Sequence, residues 1–193
     1  MRRLIVIVFV AFAMLAAGGT SVGAAGVGKP VAVEKFDRVF DSELDEFLTY
    51  VCGVEIWVGG HEKGTDNFYE DGSVRVHYNS TFEFHSPETG ETMIRRDAAN
   101  ARVVGAETVD PETGWTTATF DELFVGLPAQ WSKKGEGVLL RDAGQARFQG
   151  TVVFDDEGNF VSFEETITTK GPHPELETDV LHFICDAMGG SAH

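Results

Sequence analysis

The chain holds two cysteines, Cys52 in "YVCGVEIWVGG" and Cys185 in "LHFICDAMGG". Thiols so far apart in sequence can be a metal pair, a reactive thiol with a bystander, or the two ends of one disulfide. A metal pair needs further ligands nearby, and His182 alone is thin. A reactive thiol needs a base or a positive neighbour to form the thiolate, and the sequence marks none. There is no CxxC, so neither a thioredoxin-type site nor a zinc knuckle is present.

The other candidates for chemistry are sparse. His61, His77 and His85 sit in or near strand-like segments, and three imidazoles can hold zinc. His77, however, alternates with Val76 and Tyr78 and so falls on the polar side of its strand. Glu164 and Glu165 form an adjacent acidic pair, but neighbours in a strand point to opposite faces. They are not a facing acid–base couple. "HEKGT" at 61–65 lacks the second histidine of HExxH, and no GxSxG occurs. No catalytic, cofactor or metal residue is assigned from the sequence.

The elements around these residues begin with the N-terminus. Arg2 and Arg3 precede an apolar run from Leu4 to Ala17, and small residues follow. That layout predicts a secretory signal peptide over 1–25, cleaved after Ala25. The run is shorter than the ~20 residues that span a bilayer, so no stable membrane span is expected after cleavage. The expected location is secreted, extracellular or cell-envelope. Disulfides persist there, and two cysteines leave none over, so Cys52 and Cys185 are expected to be bonded.

The formal charge is −16, and it grows more negative once Arg2 and Arg3 are removed. Such a surface repels nucleic acid, which is excluded as a partner, and anionic lipid.

Residues 26–35 read as a flexible arm and 36–193 as a single domain. Period-two alternation dominates. It runs through "VCGVEIWV", "SVRVHYNSTFEFH", "ARVVGA", "TTATFDELFVG", "EGVLLRD", "ARFQGTVVFD" and "NFVSFEETITT". The turns agree: "DG" at 71–72, "PETG" at 87–90 and 111–114, and "DDEGN" at 155–159. Residues 36–51 fit a helix or an extended entry into the first strand, and the extended form is preferred. "HPELETDVLHFICDAMGG" reads as a short C-terminal helix. The expected fold is mainly β: an antiparallel meander of about 8–9 strands closed as a β-barrel. A β-sandwich is the alternative. Trp131, in the polar stretch "PAQWSKKGEG", is expected at the barrel mouth or against a partner.

The signal peptide, the "CG" at Cys52, the "DG" and "PETG" turns, the "DDEGN" hairpin and a terminal helix with a lone cysteine form a pattern. It resembles the small secreted proteins of uncharacterised function common in actinobacteria. The resemblance implies a compact antiparallel barrel, lipocalin-like or allene-oxide-cyclase-like in outline, and brings no catalytic residues.

Three functions fit these expectations. The first is an envelope or extracellular interaction or structural protein, its partner an envelope component. The second is a binding module for a small apolar ligand. The third is a cyclase or isomerase, which would need a buried carboxylate or histidine in apolar surroundings.

Overall fold

The computed structural model describes residues 28–192. The expected signal peptide and the cleavage point at Ala25 lie outside them. Eight strands follow in chain order: β1 (Ala32–Leu44), β2 (Trp57–Phe68), β3 (Val74–His85), β4 (Thr92–Val109), β5 (Thr116–Lys133), β6 (Gly137–Arg141), β7 (Gly144–Phe154) and β8 (Phe160–Lys170). The helices are α1 (Glu46–Cys52), α2 (Pro174–Glu177) and α3 (Val180–Ala187).

The strands form one antiparallel meander in the order β1-β2-β3-β4-β5-β7-β8. The first part of β5, Thr116–Gly126, pairs with β7, and its last residues pair with β6. β1 and β8 stand at opposite ends of this order and do not pair. The sheet is therefore open rather than closed into the expected barrel. The turns fall where the sequence places them. Gly72, Gly90, Gly114 and Gly158 all have positive φ, and the amides of Gly90 and Gly114 close turns onto Ser86 and Asp110.

Four local expectations change. Residues 32–35, read as part of an arm, are the start of β1 and pair with Thr65 to Phe68 of β2. After Leu44 the chain turns helical, because Asp45 accepts a hydrogen bond from the Leu48 amide at 2.8 Å. Gly53, at φ 70, ends that helix. Cys52 is thus the last residue of α1 and not part of a strand; the alternation from Cys52 to Val58 spans a helix end, a loop and the start of β2. The polar stretch around Trp131 is strand: β5 runs through Pro128 to Lys133. The single C-terminal helix is two, because Asp179 starts a new one by accepting from the His182 amide at 3.2 Å.

The sheet has an inner and an outer face. On β3, Tyr78, Ser80, Phe82 and Phe84 point inward, while Arg75, His77 and Glu83 point out and are exposed. The helices cover one end of the inner face. There Leu48, Cys52, Ile184 and Cys185 meet Phe84, Met93, Trp131 and Leu140 from the sheet. Each leucine, isoleucine, phenylalanine and methionine among them stabilises by about 1.5–3 kcal/mol on burial. Cys52 and Cys185 are bonded, with Cα atoms 4.9 Å apart across 133 residues, and the bond ties α1 to α3.

Away from the helices, inner-face glycines accommodate aromatic rings from neighbouring strands. A side chain at Gly60 would strike the Phe82 ring, one at Gly64 that of Phe36, and one at Gly150 that of Phe120. Phenylalanines lying over strand glycines recover apolar contact that the glycines cannot make.

Candidate functional site

Two groups of ionisable side chains lie on the inner face. The first holds the C-terminal segment to the sheet. Ser80 donates to Asp97 Oδ2 at 2.8 Å, and Arg95 Nε donates to Asp97 Oδ1 at 3.1 Å. The Arg95 guanidinium is also 3.8 Å from Glu175 Oε1 and stands over the Trp131 ring at 5.3 Å. Trp131 Nε1 donates to the same Glu175 oxygen at 3.1 Å, and the Glu175 amide donates to Asp142 Oδ1 at 2.8 Å. Burial raises the affinity of the Asp97 and Glu175 carboxyls for a proton, and Arg95 opposes it in both. Burial works against the charge on Arg95, but Asp97 and Glu175 outweigh it and hold the guanidinium charged. The charges here are matched and bonded, which is the condition for a buried ionic network to hold together. His173 sits beside it, buried, its Nδ1 3.5 Å from Asp142 Oδ2 and its ring nitrogens without hydrogen bonds.

The second group is different in kind. Glu122 on β5 pairs with Phe148 on β7, and Glu165 on β8 pairs with Gly150 on β7. The register puts both carboxylates on the inner face, diagonal to each other across β7, with the Phe120 ring lying over Gly150. Phe120 stacks with Phe163 at 6.0 Å, and Phe124 meets Phe148 edge-on at 5.7 Å. Glu122 is 2% exposed. Among the described residues no donor reaches its carboxylate, and Glu165 Oε1 is buried without a partner. Burial, and then the charge of Glu165, push Glu122 up to about 7; burial also raises Glu165. Near neutral pH Glu122 is poised between acid and carboxylate. It can hold a proton, release one, or face a cation.

Further along the same face lies an open depression of about 400 Å³, lined by Thr116, Ala118, Phe154, Glu107, Asp155 and Asp156. A second depression, of about 350 Å³, is lined by residues including Phe40, Gly60, His61 and His85.

The residues singled out in the sequence are dispersed. His61, His77 and His85 lie on the outer face and contact Asp37, Asn100 and the Glu91 carbonyl respectively. Among the described residues no three His, Cys, Asp or Glu side chains are grouped to hold a metal ion. Trp131, expected at a barrel mouth or partner surface, is 1% exposed and belongs to the core. Its position on β5 turns it inward, where Glu175 satisfies the indole N–H.

Glu164 and Glu165 do point to opposite faces. What the sequence reading missed is that Glu165 shares its face with Glu122. The readable half of that signal is "FDELF": Phe120, Glu122 and Phe124 alternate, so a carboxylate stands on an apolar strand face. The other half, the register of β5, β7 and β8, depends on pairings distant in sequence.

Compared with known protein families, curated protein sequences and solved structures, the chain matches none.

Proposed function

We propose that the chain is an exported binding protein of the extracellular space or cell envelope. Its inner face around Glu122 and Glu165 takes a small amphipathic ligand with a positively charged group. The observation that carries this reading is Glu122, a carboxylate 2% exposed with no hydrogen-bond donor. An ionised carboxylate buried without a partner costs several kcal/mol. A proton relieves that cost in acid, and a cation relieves it at neutral pH. The rings of Phe120, Phe124, Phe148 and Phe163 suit the apolar part of such a ligand, and an aromatic face attracts a cation. The net charge of −16 favours the approach of cations.

The test is calorimetric titration with an alkyl-trimethylammonium amphiphile, the alcohol of equal chain length, and the matching alkyl sulfate. The ammonium compound is expected to bind at least about tenfold more tightly than the alcohol, with the sulfate weakest. In Glu122→Gln the preference for the cation collapses. Equal binding of all three, or of none, refutes the reading.

A second reading, an interaction or structural role in the envelope, is favoured by the edge of β1 that is unpaired among the described residues. Val33 is 53% and Val39 73% exposed there.

A further inference from the structure

The outer edge of β1 carries a sequence that complements itself in charge when run backwards. Residues 33–39 read Val-Glu-Lys-Phe-Asp-Arg-Val. Placed antiparallel to a second copy with Phe36 opposite Phe36, Lys35 meets Asp37, Glu34 meets Arg38 and Val33 meets Val39. Each of these pairs forms twice. We propose that two copies of this chain join edge to edge through β1, about a two-fold axis at Phe36, into one continuous sheet.

Three structural observations support this partner. Among the described residues β1 is hydrogen-bonded on one side only, to β2, and its other edge is bare. An open edge is a template for another strand, and self-pairing about a two-fold axis uses it on both copies at once. Next, β1 pairs regularly with β2 from Ala32 to Phe40 and then bulges before Glu43. The regular stretch is centred on Phe36, the same residue that centres the charge pattern. Last, opposed residues in this register share a parity, so each pair falls on one face of the sheet, as cross-strand pairs must.

The register is also exclusive. A shift that centres the pairing on Lys35 sets lysine against lysine, and one that centres it on Asp37 sets aspartate against aspartate. A one-residue offset turns every side chain to the wrong face. The same charges discourage arbitrary strands from adding to this edge, so they select a copy of β1 and reject others. Asp37 and Arg38 already have contacts on the β2 side, with His61 at 2.6 Å and Glu62 at 3.9 Å. The bare edge lies on the other side of the strand. The pairing does not use Glu122 or Glu165, so it stands or falls independently of the ligand reading.

One strand pair makes a small interface, so a weak, salt-sensitive dimer is expected. Sedimentation velocity across the micromolar range should show wild-type protein passing from monomer to dimer. Lys35→Glu and Asp37→Lys each set like charges opposite one another twice, and each should weaken the dimer at least about tenfold. The double variant restores opposite charges and should return association to near the wild-type value. Thermal melts establish that all four proteins are folded. A wild-type protein that stays monomeric overturns the proposal. So does a dimer indifferent to both single reversals, or a double variant no better than the worse single one.

Discussion

Glu122 of β5 and Glu165 of β8 project from one face of the sheet, on either side of β7, where the Phe120 ring lies over Gly150. Two carboxylates so placed, with no donor for either, tie the stability of the fold to proton concentration.

The sign follows from Glu122. Its carboxyl is raised from 4.5 to about 7 by burial and then by Glu165. Below 4.5 the folded and unfolded chains both hold the proton, and the fold keeps its full stability. As pH rises from 4.5 towards 7 the unfolded chain ionises first, so stability falls through that window. The loss is on the order of 3 kcal/mol. Glu122→Gln should remove this part of the slope and leave the protein more stable than wild type at pH above 7. Thermal denaturation of both proteins over a pH series measures it. Parallel curves for the two proteins would show that Glu122 does not titrate in this way.

Arg95 tests the first polar group. It stands between Asp97 and Glu175, and replacing it by methionine keeps much of the volume while leaving both carboxylates buried and uncompensated. A loss of about 3–5 kcal/mol is expected from urea denaturation. Arg95→Lys should recover only part of it, because an ammonium lacks the planar fork that reaches two carboxylates. Adding Asp97→Asn to Arg95→Met should recover some stability by removing one stranded charge. If Arg95→Met unfolds at the wild-type midpoint, the group contributes nothing to folding.

Much of this architecture was legible in the residues, for a local reason. Period-two alternation with Gly-centred turns is written within a dozen residues at a time, so the meander and its hairpins could be read directly. The disulfide could be read from the expected compartment and the cysteine count. Trp131 and Glu122 could not be placed, because their surroundings come from strands and helices far away in the chain. A tryptophan among polar residues looks exposed until α2 supplies Glu175 for its indole. The helix at Glu46–Cys52 was hidden by an alternation that matched a strand, although Asp45 and Gly53 mark its two ends. Closure of the sheet is a property of its two edges together, and no local pattern encodes it.

The disulfide should matter in proportion to the loop it closes. Cys52 and Cys185 are 133 residues apart. In the chain-entropy model, cross-linking a loop that long restricts the unfolded chain and stabilises the fold by about 5 kcal/mol. The bond also joins α1 to α3, the elements that cover the core end of the sheet. Equilibrium unfolding with and without reductant, and of the Cys52→Ser/Cys185→Ser double variant, should show a matching drop for both. Free-thiol labelling of the non-reduced protein should find neither cysteine. Full labelling of both would mean that the bond does not form.

Gly150 makes the narrowest demand on side-chain size. A Cβ there would collide with the Glu164 carbonyl and come within 2.7 Å of Phe120 Cζ. The carbonyl is backbone and cannot swing aside, so Gly150→Ala should cost about 1–3 kcal/mol through overpacking. Gly105 is the matched control on the same face. Its nearest neighbour would be the Thr119 carbonyl at 3.5 Å, an ordinary contact. Gly105→Ala should therefore be neutral or slightly stabilising, because alanine restricts the unfolded chain more than glycine does. Thermal unfolding of the two variants side by side separates the steric effect from a general aversion of the sheet to change. Equal melting points for the two would mean that the close approach of Phe120 to Gly150 is not needed for the fold. A Gly150→Ala protein that melts early should also lose affinity for the ammonium amphiphile, since the added methyl displaces the Phe120 ring beside Glu122 and Glu165.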